Sequence, residues 1–372
     1  MPIRLRASVH RILVYVGLTG FALLFGEVFL RIADPQPLLP RYVTGTAWGV
    51  RGNIPHARYR HRTPEVDVEF RINGQGMRAD RDFPLGRQAG TCRIAVFGDS
   101  FFMGYELDLK DTFSARLEER LREDRYNADV LNFSVSGFGT AEMIRHYERF
   151  GRRFEPDVVV FQWHASDPED NVRADLFDFE DGRVVATERS YLPLVALQDA
   201  LMKFSLYRLI TDQSHLYSFA RERASVFARR LMAMAEKRTA EPGAEAHAAG
   251  AADDGPGEPE SKTPYEISLS AALLRHAAAM ARGEERDFFV VEVPKRLSRA
   301  SYGSTIGVLP GADLAELNVL SPLQDFRRLS SEDAKLYYER GHGHLTPLGV
   351  AVLVAAVAPR LEQSARLRGC KQ

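Results

Sequence analysis

Ile94-Ala95-Val96-Phe97-Gly98-Asp99-Ser100-Phe101-Phe102-Met103-Gly104 is the stretch whose reading decides the fold. An apolar, β-branched run ends in a glycine, a carboxylate and a serine, and a helix-forming segment follows. A serine at such a corner presents its hydroxyl above the end of a central strand, where open α/β sheets keep their ligand crevices. The hydroxyl becomes a nucleophile only with a base and oxyanion donors beside it. The rest of the chain is therefore read for those groups.

Working outward, strands and helices alternate. Cys92–Phe97 reads as a strand, Thr112–Arg122 as an amphipathic helix, Asp129–Phe133 as a strand and Ala141–Phe150 as a helix. Asp157-Val158-Val159-Val160-Phe161-Gln162-Trp163 is a nearly continuous apolar strand, as a parallel sheet covered on both faces requires. This alternation predicts an α/β fold, a three-layer α/β/α sandwich with a parallel sheet. After Asn171 the pattern breaks. Leu176–Phe179 and Arg183–Ala186 flank Glu180-Asp181-Gly182 as a hairpin, and Leu194–Met234 reads as helical. Residues 236–263 are mostly Ala, Gly, Pro and Glu without aromatics, a composition that cannot bury a core and is expected to be disordered. Helix Ser268–Ala281, strand Phe288–Pro294 and helix Leu348–Gln363 resume the sandwich, so residues 172–265 are an insertion within one domain spanning 92–366.

Upstream, residues 35–91 are rich in Arg, Pro and Gly and contain the alternating strand Val66–Ile72 before an Asn73-Gly74 turn, which predicts a small β-rich connector. Residues 1–34 form a cytoplasmic tip and a transmembrane anchor. Ile12 to Ile32 is a largely apolar run of 21 residues, about 31 Å as a helix and so about one hydrocarbon thickness. Arg4, Arg6 and Arg11 precede it and no Ala-x-Ala-like cleavage site follows. The expectation is an uncleaved single-pass inner-membrane protein with its C-terminal domain periplasmic. Glu27 is unfavourable in lipid, but toward the far end of the run water or a partner helix can reach it.

Composition narrows the function. The formal charge of −1 gives no reason to expect a nucleic-acid partner. The two cysteines, Cys92 and Cys370, exclude a disulfide framework and a cysteine-based zinc site, and Cys92 reads as a small buried hydrophobe. His342-x-His344, with His164 as a third ligand, could form a zinc site, but loop polar groups are the commoner meaning of such a pair, and no cofactor is expected. Arginines and histidines in Arg58–Arg62 read as a solvated face, and Asp170-Asn171 as the close of a turn.

Three blocks of this sequence resemble the SGNH (GDSL-type) hydrolases, and the likeness runs from about Arg93 to Leu361 apart from the insertion. Gly98-Asp99-Ser100 with Gly104 matches the first block, Asn132-Phe133-Ser134-Val135-Ser136-Gly137 the second and His344-Leu345-Thr346-Pro347-Leu348-Gly349 the last. The stretch Arg71-Ile72-Asn73 to Gly76-Met77-Arg78 is similar to membrane-anchored bacterial members. The resemblance implies Ser100 as nucleophile, His344 as base, and Ser100 and Gly137 as backbone oxyanion donors. The substrate it implies is a small ester or an acylated carbohydrate of envelope or exopolysaccharide. Two positions depart from the pattern. Trp163-His164-Ala165-Ser166-Asp167 puts Ser166 where the family has an oxyanion asparagine, and His342 and Gly341 stand where an aspartate orients the histidine. Ser166, through its hydroxyl, is the candidate third oxyanion donor; Asp99, His164 and His342 are candidates for support, and Glu339 or Asp333 for orienting His344. The alternative is a catalytically degenerate module that binds polysaccharide or scaffolds an envelope assembly.

Overall fold

The computed structural model describes residues 2–36, 38, 41–187, 189, 191–221, 223–224, 263–329, 331, 334–340 and 342–372. From the N-terminus, α1 (Pro2–Ala33) leads into two hairpins, β1 (Val43–Gly45) with β2 (Arg51–Asn53), and β3 (Arg58–Arg62) with β4 (Asp67–Arg71). The main domain then runs β5 (Cys92–Phe97), α2 (Ser100–Met103), α3 (Phe113–Glu123), β6 (Ala128–Asn132), α4 (Thr140–Arg149), β7 (Val158–Trp163) and α5 (Asp167–Ala174). A hairpin of β8 (Phe177–Glu180) and β9 (Arg183–Ala186) precedes α6 (Leu192–Leu201) and α7 (Ser205–Gln213), and residues 215–221 are again helical. Helix Pro264–Gly283, β10 (Asp287–Glu292), the hairpin β11 (Lys295–Ser298) and β12 (Ser301–Gly303), β13 (Val319–Leu320) and helix Pro347–Leu361 complete the layers.

Five strands form one sheet in the order β13-β10-β7-β5-β6, every pair parallel. Side-chain alternation sends Ala95, Phe97, Val159, Phe161 and Val290 into one apolar layer, beneath α4 and helix Pro264–Gly283. It sends Ile94, Val96, Val158, Val160 and Val291 into the other, with Phe113, Leu117, Leu353 and Val357 from α3 and helix Pro347–Leu361. This is the expected three-layer sandwich. The first and third strands of the sheet in chain order, β5 and β7, are neighbours, so connections leave them in opposite directions and a crevice opens at their carboxyl ends.

Three expectations change. The helical reading of 194–234 breaks between α6 and α7 and again at Ser214; residues 225–234 lie outside the described ones, as do 236–262 of the segment expected to be disordered. Cys92 is not a free buried hydrophobe: it is bonded to Cys370, with Cα atoms 5.9 Å apart across 278 residues of sequence. The C-terminal segment returns to the start of β5, with Tyr126 and Lys371 bridged beside it. The connector also does more than join α1 to the domain, because its hairpins bond to the loops at the crevice.

Candidate active site

Ser100 opens α2 directly after β5. Asp99 is the N-cap, its carboxylate accepting from the Phe101 amide at 2.7 Å. Gly104 ends this single turn at φ 70°, where a side chain would collide with Thr112. The reversal returns the chain past the serine, with the Tyr105 amide donating to the Ser100 carbonyl at 3.0 Å, and carries Glu106 beneath the site. On the other side, the 336–346 segment folds on itself through Tyr338–His344 and Thr346–Leu336 backbone bonds of 2.9 Å. Thr346 then caps helix Pro347–Leu361. These two turns bring together residues that are 244 apart in the chain.

Ser100 Oγ lies 2.7 Å from His344 Nε2, and His344 Nδ1 lies 3.0 Å from Glu106 Oε2. Glu106 is fully buried and also accepts from the His342 and His344 amides, each at 3.3 Å. Burial pushes its carboxyl up, but the bond and charge of His344, then the charge and amide of His342, outweigh burial and hold it below the usual carboxylate range. The group is thus an anion placed to fix the Nδ1–H tautomer of His344 and leave Nε2 free to take a proton. Glu106 is the orienting residue that the last block lacks. Of the two candidates, Glu339 pairs instead with Arg299 at 2.8 Å, and Asp333 lies outside the described residues.

Glu106 is not legible from sequence. It lies two residues after Gly104, and its only local signal is an acidic residue between the buried Tyr105 and Leu107.

Among the described residues, no protein acceptor is bonded to the Ser100 or Gly137 amides, both of which sit at turns beside the strand ends. Gly137 has φ 75°, and Arg51 from β2 donates to its carbonyl at 2.6 Å. Arg51 is held in turn by Glu142 Oε1 at 3.3 Å, and Glu142 also accepts from Tyr191 and from the Gly139 amide. Asn53 Nδ2 donates to the Ser134 carbonyl at 3.1 Å. The connector therefore braces the second block.

The remaining candidates fall around this line rather than on it. Asp99 caps α2, and burial raises its carboxyl to about 6. His164 packs on the Phe101 ring at 4.6 Å, while His344 touches the same ring at 4.8 Å. Ser166 precedes α5 with its hydroxyl 3.2 Å from His164 Nδ1 and a further bond to Asp170. His342 lies 5.3 Å, ring to ring, from Tyr105, and His61 of β3 lies 4.5 Å from the same ring. Burial first, then the charge of His342 on His61 and of His344 on His342, pushes both histidines down to about 4. Asn171 ties helices rather than closing a turn, accepting from the Ala141 amide and donating to Ser270 Oγ, each at 2.9 Å.

A parallel α/β sandwich with a Ser–His–Glu line at the switch point of its sheet has the constellation of a serine hydrolase. In sequence, no protein-family model and no curated protein matches this chain. In structure, it is similar to the crystal structure of TesA at 14% identity, covering 73% of this chain and 98% of that one with a TM-score of 0.37. It is similar to a lipase/acylhydrolase from Enterococcus faecalis at 12% identity, covering 73% and 95%, with a TM-score of 0.39. A two-domain esterase active on acetylated mannans matches at 10% identity, covering 73% of this chain and 49% of that one, with a TM-score of 0.39.

Proposed function

We propose that this chain is a membrane-anchored, exported serine esterase or O-acyltransferase acting on an O-acyl group of an envelope or exopolysaccharide glycan. The observation that carries the chemistry is the unbroken line from Ser100 Oγ to His344 at 2.7 Å and from His344 to Glu106 at 3.0 Å. Ser100 Oγ attacks the ester carbonyl as His344 Nε2 takes its proton, and Glu106 stabilises the imidazolium. The Ser100 and Gly137 amides receive the developing oxyanion. Collapse returns the proton from His344 to the leaving alkoxide and leaves an acyl-Ser100 ester. Water or a sugar hydroxyl, deprotonated by His344, then takes the acyl group. The glycan rests on the resemblance to anchored family members.

Helix α1 contains one segment, Leu13–Ala33, long and apolar enough to cross a membrane. Arg4, Arg6 and Arg11 before it favour a cytoplasmic N-terminus, and the Cys92–Cys370 bond suits an oxidising compartment outside the cytoplasm. Reporter fusions at residue 45 should be active only with a periplasmic reporter; a cytoplasmic signal overturns this location.

A serine-directed fluorophosphonate should label the full chain and fail to label Ser100→Ala. No labelling of the folded wild type would leave the non-catalytic reading, which Ser166 favours because it offers no side-chain amide to the oxyanion. Ser166→Asn restores such an amide and should raise turnover of an activated ester by up to about 10²-fold, in kcat more than in KM. An unchanged rate would show that this corner does not face the oxyanion.

A further inference from the structure

Glu27 stands inside the apolar segment of α1, six residues before Ala33 and so about 9 Å along the helix. Its carboxylate accepts from Ser214 Oγ at 2.7 Å, the Leu216 amide at 2.9 Å and the His215 amide at 3.1 Å. One turn later, Arg31 donates to the Gln213 carbonyl at 2.7 Å and to Glu27 at 2.6 Å. One residue earlier, the Leu216 side chain packs over Gly26. The segment from Gln213 to Leu216 thus descends along α1 from Arg31 to Gly26, into the apolar stretch. The acidic residue in that stretch is satisfied by the first amides of the helical residues 215–221, which otherwise lack partners.

The helices that lead into this contact are apolar on the wrong side for water. Phe204, Leu206 and Leu209 are 66%, 69% and 59% exposed, and Leu197, Leu201 and Ile210 are exposed with them, whereas the buried residue of α7 is Thr211. Lys203, Arg208 and Arg221 are exposed in the same segment. Apolar side chains turned outward with cations among them match a helix lying in a membrane interface, its apolar face among acyl chains and its cations at phosphates.

We infer that α6 and α7 lie in the surface layer of the bilayer that α1 spans, docked on it through Glu27 and Arg31. This rests on the reading of α1 as a membrane anchor. The bilayer is the occupant because the exposed face continues into a contact made within the apolar length of α1 itself. The docking also reaches the crevice. Asp199 of α6 accepts from Arg41 at 2.7 Å and from Thr44 of β1 at 3.1 Å, and β1 pairs with β2, whose Arg51 holds Gly137. The catalytic domain is thereby seated on the membrane in one orientation instead of swinging on a tether, and its substrate class narrows to acylated glycans presented at the membrane surface.

The test uses the full chain in vesicles of phosphatidylcholine and phosphatidylglycerol. Leu206→Cys and Leu209→Cys are each labelled with the fluorophore NBD, as are Phe21→Cys in α1 and the exposed Leu85→Cys in the connector; both native cysteines are in the disulfide. Labels at 206 and 209 should be blue-shifted relative to 85 and quenched by spin-labelled acyl chains. Glu27→Gln should weaken that quenching while position 21 stays in lipid. If position 21 is quenched by lipid but 206 and 209 are as open to aqueous iodide as 85, the proposal fails and the anchor stands. If position 21 is also open to iodide, the anchor reading itself fails. Energy transfer between labels at 206 that disappears on dilution with lipid would mean that a second copy covers the face, which also overturns the proposal.

Discussion

A histidine that takes a proton from serine must keep Nε2 bare, which requires the ring's one proton to be held at Nδ1. At His344 that hold comes from Glu106, a buried anion whose carboxylate also gathers two backbone amides of the histidine loop. Glu106→Gln preserves shape but can present its amide to Nδ1 and favour the wrong tautomer, so kcat on an activated ester should fall by up to about 10⁴-fold with little change in thermal stability. A variant that keeps wild-type kcat would remove Glu106 from the mechanism. The neighbouring histidines are held differently. His61 and His342 have folded pKa values near 4, below the ordinary 6.5, so the unfolded chain binds more protons between those values. Each therefore contributes stability above pH 6.5 that is lost as pH falls toward 4, at most about 1.4 kcal/mol per pH unit per histidine. Asp99, raised to about 6, works in the opposite direction over part of that window. His61→Phe leaves Asp99 in place, so the variant should lose less stability than the wild type between pH 7 and pH 5 in urea titrations. Equal losses would show that His61 takes up no extra proton on unfolding.

At the scale of elements, the site is an assembly of turns held by the connector. β5 and α2 place Ser100, the loop after β6 places Gly137, and the segment before helix Pro347–Leu361 places His344. The hairpins of residues 43–71 then tie the loops down: Arg51 to Gly137 and Glu142, Asn53 to Ser134, and Glu65 to the Glu339 amide at 2.6 Å. Arg51→Met removes a charge-assisted bond and leaves the buried Glu142 without its cation, a loss of about 1.5–3 kcal/mol. The expected result is a lowered Tm together with slower fluorophosphonate labelling, since the Gly137 peptide loses its brace. Labelling at the wild-type rate in a variant with the same loss of stability would confine Arg51 to a structural role. The strands and helices of the sandwich were readable in advance because apolar β-branched runs and amphipathic helical spacing are local to each segment and survive in any context. Tying contacts such as Arg51 to Gly137 leave no such trace, because an arginine in a polar stretch reads as a solvated surface until its partner is known.

For the whole molecule, the Cys92–Cys370 bond closes the chain on itself, joining the first strand of the sheet to the C-terminal segment. Reduction, or Cys92→Ala with Cys370→Ala, should cost about 2–4 kcal/mol of stability in denaturant titrations while leaving the fold intact. An unchanged midpoint with and without reductant would show that the bond does not constrain the unfolded chain. Sequence alone determined the layered α/β fold, the apolar N-terminal run and the serine corner at Gly98-Asp99-Ser100, because each is written in neighbouring residues, while Gly137 and His344 were pointed to by the resemblance of their motifs to a known family. Only tertiary structure decided that Glu106 serves a histidine 238 positions away, that Cys92 has a partner, and that Glu27 is met by Ser214 to Leu216. Those pairings are set by which strand ends and loops the sheet order brings together, and polar groups far apart in a chain carry no mark of that order until the chain has folded.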